Sequence, residues 1–179
     1  MEKLMKQLIR ITFVFIIVFS ISGAQDKFNS ESVFASTETT NGAKPIQLAL
    51  INPIQLFPET TPIVGLRFNL LYGKNTTVSG LDIGFVNHTT AGTTKGWQFG
   101  LVGFSEANFL GFQDNAVNAT KGKMEGFQFG VFNYAGTMSG FQLGFVNYAQ
   151  SLYGLQVGIL NFIQTGGQFP VFPIVNWSF

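Results

Sequence analysis

One recurring pattern governs what this chain can fold into. Gly126-Phe-Gln-Phe-Gly130-Val-Phe-Asn133 is followed by Gly140-Phe-Gln-Leu-Gly144-Phe-Val-Asn147 and Gly154-Leu-Gln-Val-Gly158-Ile-Leu-Asn161. Upstream stand Gly80-Leu-Asp-Ile-Gly84-Phe-Val-Asn87 and Gly96-Trp-Gln-Phe-Gly100-Leu-Val-Gly103. Gly111-Phe-Gln-Asp-Asn-Ala-Val-Asn118 is a degenerate copy and Gly65-Leu-Arg-Phe-Asn-Leu-Leu-Tyr72 a fainter one. The leading glycines are 14 to 16 residues apart, room for one strand and one turn. Two glycines per unit would weaken a helix by about 1 kcal/mol each, whereas alternating Phe, Leu and Val suit a strand. The fold class is therefore all-β.

Two architectures use such a unit. In an antiparallel up-and-down meander each repeat is a strand of about 10 residues plus a turn, the length of an outer-membrane β-strand. In a β-solenoid each repeat is one coil, and Gln98, Gln113, Gln128, Gln142 and Gln156 stack as a ladder. The alternation from Gly140 to Ala149 looks unbroken, and two short strands at a sheet spacing of about 10 Å leave little room for Phe-sized side chains. The reading preferred on these grounds is the meander, closing into a small barrel of eight to ten strands; the solenoid is the alternative. Candidate strands fall near 46–56, 62–72, 79–88, 95–105, 109–118, 124–135, 139–149, 153–163 and 169–179. Pro53, Pro170 and Pro173 fit a closed sheet poorly, because proline lacks a ladder donor. Gly103 in place of Asn, and Asp114-Asn115 in place of an apolar residue and Gly, predict a bulge or an exposed end. Gln128, Gln142 and Gln156, with the repeat glycines, are the residues expected to be architectural: the amides should face inward and bond one another across strands.

Charge distribution adds to this. Only 11% of residues are charged, and from Gly126 to Phe179 there is no Asp, Glu, Lys, Arg or His. In lipid that absence is expected, since a cation facing the bilayer midplane costs about 2–4 kcal/mol. With 10 basic and 9 acidic residues there is no cationic surplus for nucleic acid. The chain has no Cys, which excludes disulfides and thiolate chemistry.

Lys3, Lys6 and Arg10 precede an apolar run from Ile11 to Ile21 that ends at Ser22-Gly23-Ala24, the layout of a secretory signal peptide. The organisation read from sequence is thus a signal peptide at 1–24, a polar flexible leader at 25–44 and a single repeat-built β domain at 45–179.

Candidate chemistry is sparse. His88 is the single histidine; a base role there would need a serine such as Ser79 or Ser105 beside it, the pattern of a lipid or ester hydrolase. One His among scattered acids gives no metal-ligand spacing. No catalytic, cofactor-binding or metal-binding residue is expected, and no cofactor.

Two resemblances complete the picture. Ile174-Val-Asn-Trp-Ser-Phe179, with its terminal aromatic, resembles the last strand of bacterial outer-membrane barrels, which implies the barrel-assembly machinery as a partner. The repeats, with Ile51-Asn-Pro-Ile-Gln-Leu-Phe57 before them and Pro170-Val-Phe-Pro-Ile-Val-Asn-Trp-Ser-Phe179 after, resemble the leptospiral-type surface repeat-containing proteins of bacteria with two membranes. That resemblance implies export, an outer-membrane or cell-surface location, contact with membrane lipid and a structural rather than enzymatic role.

Overall fold

A computed structural model describes residues 42–179. The predicted signal peptide and nearly all of the predicted leader lie outside the described residues. The chain is all-β: β1 (Lys44–Ile51), β2 (Ile54–Gln55), β3 (Ile63–Asn75), β4 (Val78–Thr89), β5 (Thr93–Ser105), the long β6 (Asn108–Thr165) and β7 (Val171–Ser178), in the sheet order β2-β1-β3-β4-β5-β6-β7.

The pairing is that of a β-solenoid. β1 with β3, β3 with β4, β4 with β5 and β5 with β6 are all parallel, and the repeats lie in register: Gly65 on Gly80, Gly80 on Gly96, Gly96 on Gly111. Within β6 the stack continues, Gly126, Gly140 and Gly154 each lying against the carbonyl of the glycine one repeat earlier. The preferred antiparallel meander is therefore corrected to its alternative, and no closed barrel forms among the described residues.

The physical reason lies at one corner. Gln142 and Asn147 are fully buried, while Phe145 is exposed and Val146 half-exposed. Two successive residues thus face outward, and a strand that looked continuous turns there. The objection that a narrow coil cannot enclose phenylalanines also falls away. The repeat phenylalanines point out, and the coil encloses the amides together with a thin apolar row in which Phe109 is the one buried phenylalanine among the described residues.

Four inward rows fill the interior. One runs Gln47, Arg67, Asp82, Gln98, Gln113, Gln128, Gln142, Gln156, every member essentially inaccessible. Each glutamine Nε2 from Gln113 to Gln156 donates to Oε1 of the glutamine one coil earlier at 2.7 to 3.1 Å. A second row is asparagine. Asn118 donates to Asn133, Asn133 to Asn147 and Asn147 to Asn161, all at 2.8 Å, and each also donates to a backbone carbonyl of the next coil. The third row passes from Asn75, Thr89, Ser105 and Thr120 to Ala135, Ala149 and Ile163; the fourth carries Phe109, Met124, Met138 and Leu152. The aliphatic core is thin and the amides carry much of the interior.

The departures in the repeat are exchanges. Gly103 leaves out the corner asparagine, and the Asn115 amide from the next coil occupies that space. Gly73 and Asn69 make the same trade within one coil. Phe99 pairs with Asp114 and Gly100 with Asn115 without interruption, so the expected bulge is absent.

The prolines sit at the two ends. Asn52 and Pro53 make the turn between β1 and β2, and Phe57 N donates to Gln47 Oε1 while Gln47 Nε2 donates to Phe57 O, closing the first coil. β7 pairs antiparallel with the last coil, with Pro173 in the register shift between Phe172 and Ile174. Gln168 N then donates to Trp177 O, and Asn176 Nδ2 to Phe169 O, so the segment before β7 folds over its outer edge. Covered ends prevent further strand addition, the usual hazard of a sheet edge.

Glycine at 144 is required for space. A Cβ there would strike the Gly130 carbonyl and lie 2.6 Å from Asn133 Nδ2. Gly144→Val is expected to lower stability by at least about 3 kcal/mol, the upper range for overpacking, read as a loss of urea midpoint with fluorescence and circular dichroism. An unchanged midpoint would show that the interior has slack at this position.

Candidate functional site

The outward surface divides by chemistry. In each coil the residues one, three and five places after the leading glycine face out from a single parallel sheet: Phe127, Phe129 and Val131; Phe141, Leu143 and Phe145; Leu155, Val157 and Ile159. The earlier coils add Leu81, Ile83 and Phe85, then Trp97, Phe99 and Leu101. Many of these are strongly exposed, Phe85 at 57%, Phe145 at 61% and Ile159 at 63%. At about 4.8 Å per coil and about 3.3 Å per residue, the face from the Gly65 coil to the Gly154 coil measures about 29 Å by about 13 Å. That area, about 380 Å², is in the range of the largest apolar patch on a monomeric protein, which is often a functional surface.

Within this face, side chains of like kind stack along the axis. Trp97 meets Phe112 edge-on at 6.0 Å, Phe112 stacks on Phe127 at 4.7 Å and Phe127 on Phe141 at 5.1 Å. Such stacking orders the rings of this one row relative to one another. Among the described residues its one charged member is Asp114, which stands in the row of Phe99 and Phe129.

The remaining charges lie on the other sides. Lys74, His88, Glu106 and Lys121 follow the asparagine corner; Lys95, Lys123 and Glu125 lie near the turn that leads into the next coil. Tyr134 and Tyr148 stack at 5.4 Å on the first of these sides, with Gln150 donating to the Tyr134 hydroxyl and Tyr148 donating to Gln164. Burial pushes the Tyr134 hydroxyl above its ordinary value of 10.0.

His88 lies near the end of β4. Its Nδ1 is 2.8 Å from the Tyr72 hydroxyl and its Nε2 2.7 Å from Glu106 Oε1, and its ring lies 4.9 Å from that of Phe104. A neutral imidazole with its proton on Nε2 satisfies both bonds, accepting from Tyr72 and donating to Glu106. Burial pulls the His88 pKa below 6.5 and Glu106 pulls the other way, the burial effect being the larger. The serines considered with it are not its partners: Ser105 is buried and bonded to Thr89 at 3.0 Å, and Ser79 lies at the start of β4. Neither Ser79 nor Ser105 completes the three-residue set of a serine hydrolase with His88. Among the described residues no cluster of His, Cys, Asp and Glu is arranged to hold a metal.

One pair went unremarked in the sequence reading. Arg67 and Asp82 occupy the glutamine place of their units, a substitution visible in the aligned repeats. Arg67 Nε and Nη2 each reach an Asp82 carboxylate oxygen at 2.7 Å, and Nη1 donates to the His88 carbonyl at 2.9 Å. Gln98 Nε2 donates to Asp82 Oδ2 at 2.9 Å, so the glutamine ladder ends on this carboxylate. Both ions are buried and bonded on several sides, a structural role.

Comparison with known proteins gives no assignment: no family model, no curated protein and no solved structure matches the chain.

Two outcomes are expected. Asp82→Asn leaves a buried guanidinium without its counter-charge, and the loss should be about 3–5 kcal/mol. Replacing both Arg67 and Asp82 by Gln extends the ladder and should recover most of it; a double variant no better than the single would show that the charges are needed. For His88 the sign follows from its lowered folded pKa. The unfolded chain binds the proton more readily, so stability is complete above pH 6.5 and declines as pH falls toward the folded value. Urea midpoints compared between about pH 8 and about pH 5.5 should fall for the native chain and stay flatter for His88→Gln; equal slopes would remove His88 as the cause.

Proposed function

We propose that this chain is an exported cell-surface or outer-membrane-associated β-solenoid that acts by contact and not by catalysis, laying its apolar sheet against membrane lipid. The observation that carries the reading is the segregation of the exterior. Aromatic and aliphatic side chains cover one flat sheet across successive coils, while the described lysines and glutamates stand on the other sides. An amphipathic body of this kind lies in the interface and does not span it, as amphipathic helices do. The signal-peptide layout of residues 1–24 supports export. The resemblance to leptospiral-type surface repeat-containing proteins supports a location in a bacterium with two membranes.

In support of a contact role, His88 has both ring nitrogens committed to Tyr72 and Glu106. A second reading, a solenoid secreted free of lipid, draws on the covered ends of the sheet.

Flotation separates the two. The purified chain, mixed with vesicles of zwitterionic phospholipid and centrifuged through a density step, should rise with the lipid. Burying one exposed Phe contributes about 1.5–3 kcal/mol, so a chain carrying both Phe129→Lys and Phe145→Lys should lose binding at least about tenfold while keeping its circular dichroism. A native chain that stays in the dense fraction supports the lipid-free reading.

A further inference from the structure

The apolar face carries an anomaly that lipid contact alone leaves unexplained. Asp114 takes a place filled elsewhere by Phe, Leu, Ile or Val, and its carboxylate has no hydrogen bond or ion pair to any described residue. Hydrocarbon laid over an unpaired carboxylate strips its water, and the effective penalty for one ion is several kcal/mol.

Asp114 also lies at one end of a trough. The rows on either side of the second repeat glycine stand up as walls, Phe129 facing Val131 and Leu143 facing Phe145 across the backbone of Gly130 and Gly144. The trough encloses about 710 Å³ and runs from Asp114, across successive coils, to Ile174 of β7. Four coil spacings of about 4.8 Å give it a length of about 19 Å. Apart from Asn115, whose side chain is buried inside the coil, the rest of its lining is apolar, and its mouth is open along the face.

We infer that this trough is a binding site for a single-chain amphiphile with a cationic head: the alkyl chain lies along the axis toward Ile174 and the ammonium group pairs with Asp114. The inference rests on the reading of the face as a lipid-contact surface and specifies which lipid chemistry it selects. Charge complementarity fixes the head group. Among the described residues no cation stands on the face to satisfy Asp114 from within, so an anionic head meets repulsion there and a neutral head leaves the carboxylate unpaired. Two copies packed face to face fare no better, since each brings a carboxylate and neither brings a cation. The trough's shape fixes the rest, being long, narrow and without a polar group at the Ile174 end.

The test uses three soluble probes of one chain length below their micelle concentrations: dodecylammonium, dodecyl maltoside and dodecyl sulfate. Each is titrated into the purified chain by calorimetry, with the fold checked by circular dichroism. Dodecylammonium should bind saturably, at least about tenfold tighter than dodecyl sulfate. Asp114→Asn should bring the three probes to similar affinity, and Asp114→Lys should turn the preference toward the sulfate. Equal affinities for the native chain overturn the inference, as do the lack of saturable binding and a cation preference that survives Asp114→Asn. Where vesicles bind but the probes show no head-group preference, lipid contact stands and the Asp114 site falls. A chain that binds dodecylammonium but no vesicles has the opposite pattern.

Discussion

An amide taken out of water must find its partners inside the protein, and the whole architecture follows from meeting that requirement once per coil. A buried carboxamide left without partners costs about 1–3 kcal/mol per group, while one satisfied bond adds only about 1 kcal/mol. Stacking identical coils in parallel places each glutamine over the last, with donor and acceptor in line. An antiparallel meander of the same strands would set the glutamines of neighbouring strands at differing heights. The ladder thus favours the parallel, in-register pairing, and with it the coil.

The two ladders have opposite polarity. Glutamine Nε2 groups donate toward the start of the stack, and asparagine Nδ2 groups donate toward its end. Each ladder therefore finishes on a group that is not another amide of its own row. At the start the acceptor is Asp82, held by the Arg67 guanidinium. At the end the asparagine row closes on a backbone carbonyl, Asn161 donating to Phe172 O in β7. The glutamine row is less complete there, Gln156 Oε1 being buried without a hydrogen-bond partner. The chain spends a buried ion pair at one end and leaves one lone acceptor at the other, a pattern that bounds the stack as capping repeats bound other solenoids.

How far the sequence foretells this can be judged residue by residue. The inward direction of Gln142 and Gly144 and the outward direction of Phe141, Leu143 and Phe145 follow from alternation, which is the same for a barrel strand and a solenoid strand. What alternation does not reveal is the corner between Phe145 and Val146, because two apolar residues in succession look like a continued strand when one of them is assumed to face a core. The asparagine that closes each unit was the available signal: it recurs two residues after the outward Phe145 or Val131, where an amide can bond the backbone of the next coil. Gly103 and Asn115 were opaque for another reason. Their exchange crosses between coils, and a pattern read one unit at a time registers it as two defects. Asp114 and the Arg67–Asp82 pair were visible as departures within an outward and an inward column of the alignment, but only three-dimensional placement shows that Arg67 and Asp82 pair with each other while Asp114 has no partner among the described residues.

The division between interior and exterior bears on stability as well as on contact. Most domains place their large apolar side chains inside, where burial offsets chain entropy. Here the phenylalanines of the repeat face outward and gain only partial cover, from neighbouring rings about 5 Å away along the axis. Whatever covers the apolar sheet removes further surface from water and binds the folded coil alone, because only the stacked coils present the rows side by side. Binding and folding are then linked: occupancy of the face raises the free energy of unfolding by an amount set by ligand concentration over its dissociation constant. A chain with this exterior is most stable when the face is covered.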